Sequence, residues 1–234
     1  MTERSGPLTT SSMRLHYRHV VARRLHTVTH DVKSNLRMLF RNIAQPVAVV
    51  TSFMPDDHDR ARFHGATLSS FTPIAMDPYP LVSFALRVPS RMAAALSSLS
   101  ASSSAPAHMV VNLLSAHQSS TAVMFSRPDL HPAPFQSHDL PYWLSDEGLP
   151  VFKSVVGALS CKLVRKGIPL HDLEYLALGD PFASNPSPEH VSLDTGNVAS
   201  ELFIARVVRV ESVEEHLSPL AYYQRGYTTC PPTR

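Results

Sequence analysis

Apolar runs broken by polar turns divide the chain into predicted strands and helices. The runs at 47–53, 63–69 and 79–88 are rich in β-branched and aromatic residues, which predicts three strands. A polar segment, MPDDHDRARF, joins the first two. The third run, YPLVSFALRV, is apolar on both faces, so we expect it inside a sheet rather than at an edge.

The second half of the chain continues this pattern. Further strands are predicted in the runs at 107–115, 148–167 and 200–214. Six strands with only a few helices favour a closed antiparallel barrel, because closure leaves no unpaired strand edges.

Three segments have helical character. VKSNLRMLFRNI is expected to form a short helix that Pro46 closes, and SRMAAALSSLSASSS a helix that Ser90 caps. SAHQSSTAVMFS predicts another, with Ser115 as its N-cap. The residues of this helix that we expect to face inward are Ala122, Val123 and Phe125.

Two segments lack periodicity. Residues 127–148 are rich in proline and histidine, which predicts a long surface loop that covers a site. Residues 171–199 form an insertion too polar for a core. We expect one domain over residues 36–230 that contains this insertion.

The first 35 residues differ in composition from the rest. They are rich in arginine, serine and threonine, and an apolar stripe runs along them at helical spacing. This pattern is typical of a mitochondrial transit peptide, and equally of a basic tail followed by a helix. The sequence therefore leaves a mitochondrial and a cytoplasmic location open.

Composition excludes several classes of function. The formal net charge is only +2, which disfavours nucleic acid as a partner. No run reaches the roughly 20 apolar residues that cross a bilayer, and no secretory signal opens the chain. The two cysteines, Cys161 and Cys230, suit a reducing compartment rather than a disulfide framework.

Common catalytic motifs are missing from the sequence. The 13 histidines lack metal-ligand spacing, so no metal site is predicted; His58, His64, His131 and His138 are scattered through predicted loops. No G-x-S-x-G, Walker or G-x-G-x-x-G motif occurs, and only 8 glycines are present. A phosphate can still bind at a helix N-terminus, where Ser90 and Arg91 stand. The alternative for this pair is an ordinary N-cap beside an exposed arginine.

The stretch HGATLSSFTPIAMDPYP places serines and threonines between apolar runs. It resembles the flavin reductase-like family, whose FMN-binding split barrel carries a pattern close to G-x-T-x-S-S-F followed by two prolines. The resemblance continues through PVAVVTS, SRMAAAL, VNLLSAHQSSTAVMFS, GLPVFKSVVGALSC and SPLAYYQRGY, over about residues 36–227. The residues that match the pattern are Gly65, Thr67, Ser69, Ser70, Phe71, Pro78 and Pro80.

This resemblance implies a mainly β fold, an antiparallel, Greek-key-like split β-barrel with a few flanking helices. It implies that FMN, or alternatively FAD, binds with its ring along Thr67–Ser70 and its phosphate at Ser90 and Arg91. An open alternative is that the hydroxyl groups only join strands. The implied cofactor contacts are Thr67, Leu68, Ser69, Ser70, Ser90, Arg91, Ser126 and Arg127. Tyr223 and Tyr227 are expected at the mouth of the site.

The family activity is hydride transfer from NADH or NADPH to flavin N5, within a homodimer. This chemistry needs no strong protein acid or base, because the cofactors carry it. One departure concerns a G-D-H motif of many flavin reductases, where this chain has Val198, Ala199 and Ser200. His171 and Asp172 occur before the insertion instead. A flavin carrier or sensor without turnover, and a structural protein with an emptied site, are therefore the alternatives to a reductase.

Overall fold

The computed structural model describes residues 31–54, 63–100, 104–178 and 199–230. The leader prediction falls largely on residues 1–30, outside this part of the chain. The described chain forms two units. The smaller comprises residues 31–44 and 223–225, and the larger comprises the remainder.

Strands dominate the larger unit. The α-helices of the described residues are α1 (31–41), which belongs to the smaller unit, and α2 (Arg91–Leu99), α3 (Ser119–Ser126) and α4 (Leu173–Leu178). Residues Pro134–Gln136 form one turn of 3-10 helix. The strands are β1 (Gln45–Pro46), β2 (Ala48–Phe53), β3 (Phe63–Leu68), β4 (Thr72–Ala75), β5 (Leu81–Val88), β6 (Met109–Leu113), β7 (Tyr142–Leu144), β8 (Pro150–Phe152), β9 (Gly157–Leu163), β10 (Ile168–Pro169), β11 (Ala199–Val213), β12 (Leu220–Tyr223) and β13 (Gly226–Thr229).

A curled antiparallel sheet forms the body of the larger unit. Its strand order is β3-β2-β6-β9-β11-β5-β4, and β10 adds to β11. The mainly β split-barrel architecture implied by the resemblance is confirmed. The closed barrel expected from the number of strands was wrong, because β3 and β4 lie at the two edges of this sheet and do not pair with each other. The prediction that YPLVSFALRV lies inside the sheet is also confirmed, because β5 pairs with β11 on one side and with β4 on the other.

Both faces of the central strands are buried. On β2, Ala48 and Val50 enter one core cluster, whereas Val49 enters a second cluster on the opposite face. Successive side chains of a strand point to opposite faces, so a continuous apolar run fills two cores at once. In the first core, Phe84 of β5 stacks on Phe203 of β11 with 5.6 Å between ring centroids.

The second core draws in part of the predicted surface loop. The prediction for residues 127–148 was wrong in this respect, because β7 pairs with β8 and Leu140 is buried. Phe135 packs its ring 5.3 Å from that of Phe125. A single apolar ring in a proline-rich segment without helical or strand periodicity leaves no periodic signal, which explains why the pattern missed this packing.

Two boundary predictions also need correction. The single strand expected at 148–167 is two strands, β8 and β9, separated by a turn in which Ser154 adopts a φ of 58°. Helix α3 begins at Ser119, with Gln118 rather than Ser115 as its N-cap. The Gln118 side chain accepts a hydrogen bond from the Ser115 backbone N–H at 3.0 Å, so Ser115 belongs to the preceding turn.

One inward side chain was also assigned wrongly. Val123 on α3 is 39% exposed, whereas Ala122 and Phe125 are buried as expected. By contrast, Ser90 caps α2 as predicted, because its hydroxyl accepts the Ala93 N–H at 3.1 Å.

The smaller unit consists of α1 and a short turn. Helix α1 ends at residue 41, several residues before Pro46, so the proline does not close it. Asn42 terminates the helix instead, since its side-chain amide donates to the Met38 carbonyl at 3.2 Å. The Gln224 backbone N–H donates to the Arg41 carbonyl at 3.0 Å, which satisfies another carbonyl at this end.

Candidate functional site

Two neighbouring hollows lie in the larger unit. The first, here called the cavity, has a volume of about 500 Å³, and the second, the groove, about 350 Å³. Both volumes fall in the range of small-molecule sites, about 300–1,000 Å³. The cavity is lined by His64, Gly65, Ala66, Pro89, Ser90, Arg91, Met92, Met124, Phe125, Pro128, Asp129, His131, Pro132 and Pro134. The groove is lined by Val47, Thr67, Leu68, Ser69, Arg87, Ser126, Tyr222 and Tyr227.

Three segments contribute neighbouring residues to the cavity and to the groove. Strand β3 passes from the cavity at Ala66 to the groove at Thr67, and α3 does the same at Phe125 and Ser126. The third segment is the connection from β5 to α2. The structure thus brings six of the eight predicted cofactor contacts to two hollows lined by neighbouring residues, and divides them between the two.

The groove combines apolar and hydroxyl-bearing walls. Tyr222 and Tyr227 form one side, with ring centroids 5.6 Å apart. The opposite side carries Thr67 and Ser69 at the end of β3. Burial is the main cause that raises the pKa of Tyr227, so its phenol keeps its proton at neutral pH. Such a surface suits a flat ring with polar atoms on its edge.

The hydroxyl groups at 67–70 differ in their hydrogen bonds and exposure. Thr67 donates from Oγ1 to the Ala122 carbonyl at 2.7 Å and so ties α3 to β3. Ser70 accepts the Ala85 N–H at 2.9 Å and donates back to the Ala85 carbonyl at 3.2 Å, which joins two segments of the barrel. Ser69 is exposed at the edge of the groove. Of the serines in this stretch, Ser69 is therefore the one placed to face a ligand.

Helix α2 presents its N-terminus to the cavity. Because the Ser90 hydroxyl accepts a hydrogen bond as the N-cap, its proton remains available for a donor interaction. Arg91, in the first turn, brings a guanidinium to the same place. A helix N-terminus with an arginine and a serine hydroxyl is a favourable environment for an anion.

His64, on β3, lines the same cavity as this positive group. Burial, followed by the charge of Arg91, lowers its pKa from the usual value of 6.5. The imidazole is thus neutral at pH 7. Sequence reasoning placed His64 among unrelated loop histidines, although its position one residue before the G-x-T motif could have marked it as a wall of the site.

Arg127 is held away from both hollows. Its guanidinium makes two hydrogen bonds to Asp129, from Nε at 3.1 Å and from Nη2 at 2.9 Å. This exposed pair raises the pKa of Arg127 and lowers that of Asp129. Arg127 lines neither the cavity nor the groove, whereas Asp129 lines the cavity.

The absence of a side chain at Gly65 allows helix α3 to lie close to strand β3. A Cβ atom added to Gly65 would come within 2.5 Å of the Phe125 ring carbons Cδ1 and Cε1. Glycine at this position therefore lets the ring lie against the strand. Phe125 in turn stacks on Phe152 with 5.4 Å between centroids, so the cavity wall is continuous with the second core.

The insertion begins beside the segment that departs from the family pattern. Strand β10 pairs Ile168 with Leu202, and the Leu170 N–H donates to the Ser200 carbonyl at 2.9 Å. His171, the next residue, is exposed. The fold thus brings the start of the insertion next to Ser200, while residues 179–198, including Val198, lie outside the described residues.

The remaining residues that were expected at the site lie in different environments. Leu68 is buried in the first core and borders the groove, and Ser126 lies at the groove with Tyr227. Tyr223 is exposed. The pattern did not single out Arg87, although its place at the end of β5, two residues before the Pro89–Ser90 turn, is a usable signal. None of the helices in the described ranges is long and apolar enough to span a membrane.

Comparisons with known proteins agree with this architecture. A family model described as a flavin reductase like domain matches residues 40–231. Among solved structures, the chain is similar to the NADH:FAD oxidoreductase SgcE6 of Streptomyces globisporus in complex with NAD and FAD fragments, with 19% identity and a TM-score of 0.58. That match covers 86% of this chain and 93% of the other.

Two further solved structures show the same fold. One is BorF, the flavin reductase component of a bacterial two-component tryptophan halogenase, at 20% identity and a TM-score of 0.57, covering 86% of this chain and 99% of the other. The second is a flavin reductase domain protein from an Arthrobacter species, at 19% identity and a TM-score of 0.56, covering 86% and 98%.

Proposed function

The chain belongs to the flavin reductase-like domain family, and from this premise we propose that it is an NAD(P)H-dependent flavin oxidoreductase. The flavin is FMN or FAD, and it receives a hydride at N5 from the nicotinamide ring. The observation that carries the proposal is the family match over residues 40–231, which includes every residue of the groove and the cavity.

The residues of the two hollows fit a flavin. The groove offers aromatic rings and a serine hydroxyl to a flat, polar-edged ring, and the cavity offers an arginine and a helix N-terminus to a phosphate. A bound flavin would supply the electron-accepting ring on which the chemistry depends. The two hollows thus offer one position for the ring and another for the phosphate.

Each group of residues then has a separate role. Ser69 and the neighbouring backbone would hold the ring edge, and Tyr222 and Tyr227 would cover its face and exclude water. Ser90 and Arg91 would hold the phosphate. Thr67 positions α3, and through it the wall of both hollows, by its bond to Ala122. Fixing two reactants in the correct orientation is the main contribution a protein makes to such a transfer.

We also propose that the protein is a homodimer. At the sheet edge, Ile74 on strand β4 and Met76 directly after it are exposed, at 48% and 73% accessibility. A second copy would cover such apolar groups. Light scattering at several protein concentrations measures the mass, and a monomer at micromolar concentration would contradict this proposal.

A flavin carrier or sensor without turnover is the second candidate. It is favoured by the start of β11, where Ala199 and Ser200 stand in place of the family's G-D-H motif and bring no imidazole. Ala199 is buried at 7% exposure and pairs with Val88. The carrier and the reductase differ in their response to a reduced nicotinamide.

Anaerobic mixing separates these functions. The protein is combined with FMN or FAD and then with NADH or NADPH, while the visible absorbance of the flavin is followed. Catalytic bleaching of excess flavin supports the reductase. Tight binding without bleaching supports the carrier, and the absence of any flavin binding rejects both.

A further inference from the structure

Helix α1 is exposed over its whole length. Every residue from 31 to 44 is exposed, and this stretch includes six large apolar side chains. Their exposed fractions run from 45% at Ile43 to 58% at Val32. An isolated helix shorter than about 12–15 residues is only marginally stable in water, and its stability normally comes from packing of an apolar face. Helix α1 therefore needs a partner surface for its apolar side chains.

The apolar and the cationic side chains of α1 form two adjacent rows. A helix turns by about 100° per residue, so positions four apart lie nearly above one another. The cationic row consists of Lys33, Arg37 and Arg41, and each of them directly follows a residue of the apolar row. The cations therefore lie along one flank of the apolar row, whereas Met38 lies outside both rows. The apolar row consists of Val32, Leu36, Leu39 and Phe40, and Ile43 continues it just past the helix.

The cationic row lacks acidic partners among the described residues. Asp31 is the only acidic residue of α1, and it precedes the row in the first turn. None of the salt bridges formed by the described residues includes Lys33, Arg37 or Arg41. Three exposed cations against one carboxylate attract an anionic surface to this flank. A second copy of α1 would bring another cationic row to the same interface, so charge repulsion disfavours pairing of the helix with itself.

The surface of an anionic bilayer matches both rows. A helix with one apolar face and lysine or arginine on its polar face lies in the plane of the membrane interface, with the apolar face buried by about 5–10 Å. Long cationic side chains reach from this depth to the headgroups. At about 1.5 Å per residue, α1 is about 17 Å long, well short of the roughly 30 Å of hydrocarbon that a spanning helix crosses. Its length therefore suits a position in the interface.

We propose that α1 anchors the protein to the surface of a bilayer that contains anionic lipids. The helix lies in the interface, with Leu36, Leu39 and Phe40 among the acyl chains and the cationic row against the headgroups. This inference goes beyond the proposed flavin chemistry and does not depend on it, because α1 contributes no residue to the lining of the cavity or the groove.

Vesicle sedimentation tests the anchor with the full chain. Partition coefficients are measured for vesicles of phosphatidylcholine alone and for vesicles of phosphatidylcholine and phosphatidylserine in equal amounts. We expect partitioning to be about tenfold stronger or more on the anionic vesicles, because each lysine or arginine near an anionic surface adds to the attraction. An ionic strength of about 1 M should remove most of this preference, since the screening length is then about 3 Å. Equal partitioning onto the two kinds of vesicle, or no binding to either, would overturn the proposal.

Two triple variants assign the charge effect to α1. The first combines Lys33→Gln, Arg37→Gln and Arg41→Gln. The matched control combines Lys153→Gln, Arg165→Gln and Lys166→Gln, at exposed positions of the larger unit. We expect the α1 variant to weaken partitioning onto anionic vesicles about tenfold or more, and the control to change it less than about twofold. Equal losses in the two variants, or no loss in the α1 variant, would place the binding on other cations and reject the anchor.

A further variant separates a membrane anchor from an interface between protein chains. Leu36→Ala combined with Leu39→Ala reduces the apolar row and keeps a strong helix former at each position. We expect this variant to partition about tenfold more weakly or less still, because its apolar face buries less area in the lipid. Its Tm, and its mass in light scattering without lipid, should match those of the native protein. A lower mass of this variant, combined with no vesicle binding by the native protein, would assign α1 to a protein interface and overturn the proposal.

Discussion

Replacing Gly65 with alanine tests how the site wall is built. The added Cβ would lie 2.5 Å from two carbons of the Phe125 ring, well inside van der Waals contact, so the ring has to move. Phe125 is 5% exposed and stacks on Phe152, and its ring also lies 5.3 Å from that of Phe135, which leaves it little space. Forcing an extra methyl group into a packed core costs about 1–3 kcal/mol.

The expected loss is measurable by thermal and urea unfolding. For a domain of this size, 1–3 kcal/mol corresponds to a fall in Tm of roughly 2–12 °C. Because the displaced ring forms the cavity floor, affinity for FAD should fall as well.

A double-mutant cycle isolates the contact. Phe125→Leu alone loses ring stacking, but combined with Gly65→Ala it should recover part of the stability, with a coupling energy of about 0.5–3 kcal/mol. Additive losses, or a Gly65→Ala protein as stable as the native one, would refute the reasoning.

Three further predictions concern individual side chains. Ser69→Ala should weaken flavin binding about 2- to 10-fold, since one hydrogen bond is worth about 0.5–1.5 kcal/mol. Ser70→Ala should lower stability and leave flavin affinity within twofold, because the Ser70 hydroxyl already bonds Ala85. Equal effects of the two variants on affinity, measured by fluorescence titration, would contradict this distinction. Arg91→Gln should weaken FMN binding by about 10-fold or more and leave riboflavin unchanged, because a hydrogen bond to a charged group is worth about 1.5–3 kcal/mol; loss of both would indicate a misfolded cavity instead. The pKa of His64 is lowered in the folded protein, chiefly by burial and then by Arg91, so the unfolded state binds more protons and stability should fall as pH drops below about 6.5. His64→Gln should make the free energy of urea unfolding less dependent on pH between 7 and 5. An unchanged dependence of this free energy on pH would show that His64 does not contribute.

Local pattern was sufficient where one segment alone determines the structure. The apolar run of β2 predicts a strand buried on both faces, and the structure places its successive residues in two cores. The start of α2 was readable for the same reason, because Ser90 bonds a backbone group only three residues away. The mainly β architecture followed from the number of such strands.

Contacts between separate elements were not readable, even where the elements are close along the chain. The pairing of β7 with β8, the packing of Phe135 on Phe125 and the bond that uses Ser70 all depend on register and on chain reversal. The predicted N-cap at Ser115 was wrong for a related reason, since a neighbouring glutamine side chain bonds its N–H.

At the candidate site, too, local features were predictable from the sequence and contacts between elements were not. Sequence supplied Thr67, Ser69, Ser90 and Arg91 as candidate contacts, through their resemblance to a family pattern. Only the tertiary structure showed that they fall into two hollows, that Asp129 engages Arg127, and that His64 and Arg91 line the same cavity. The sequence determines which residues can form strands, caps and anion contacts, because those preferences are local. Which of these residues share a surface depends on how distant strands and helices pack, and that arrangement exists only in the folded chain.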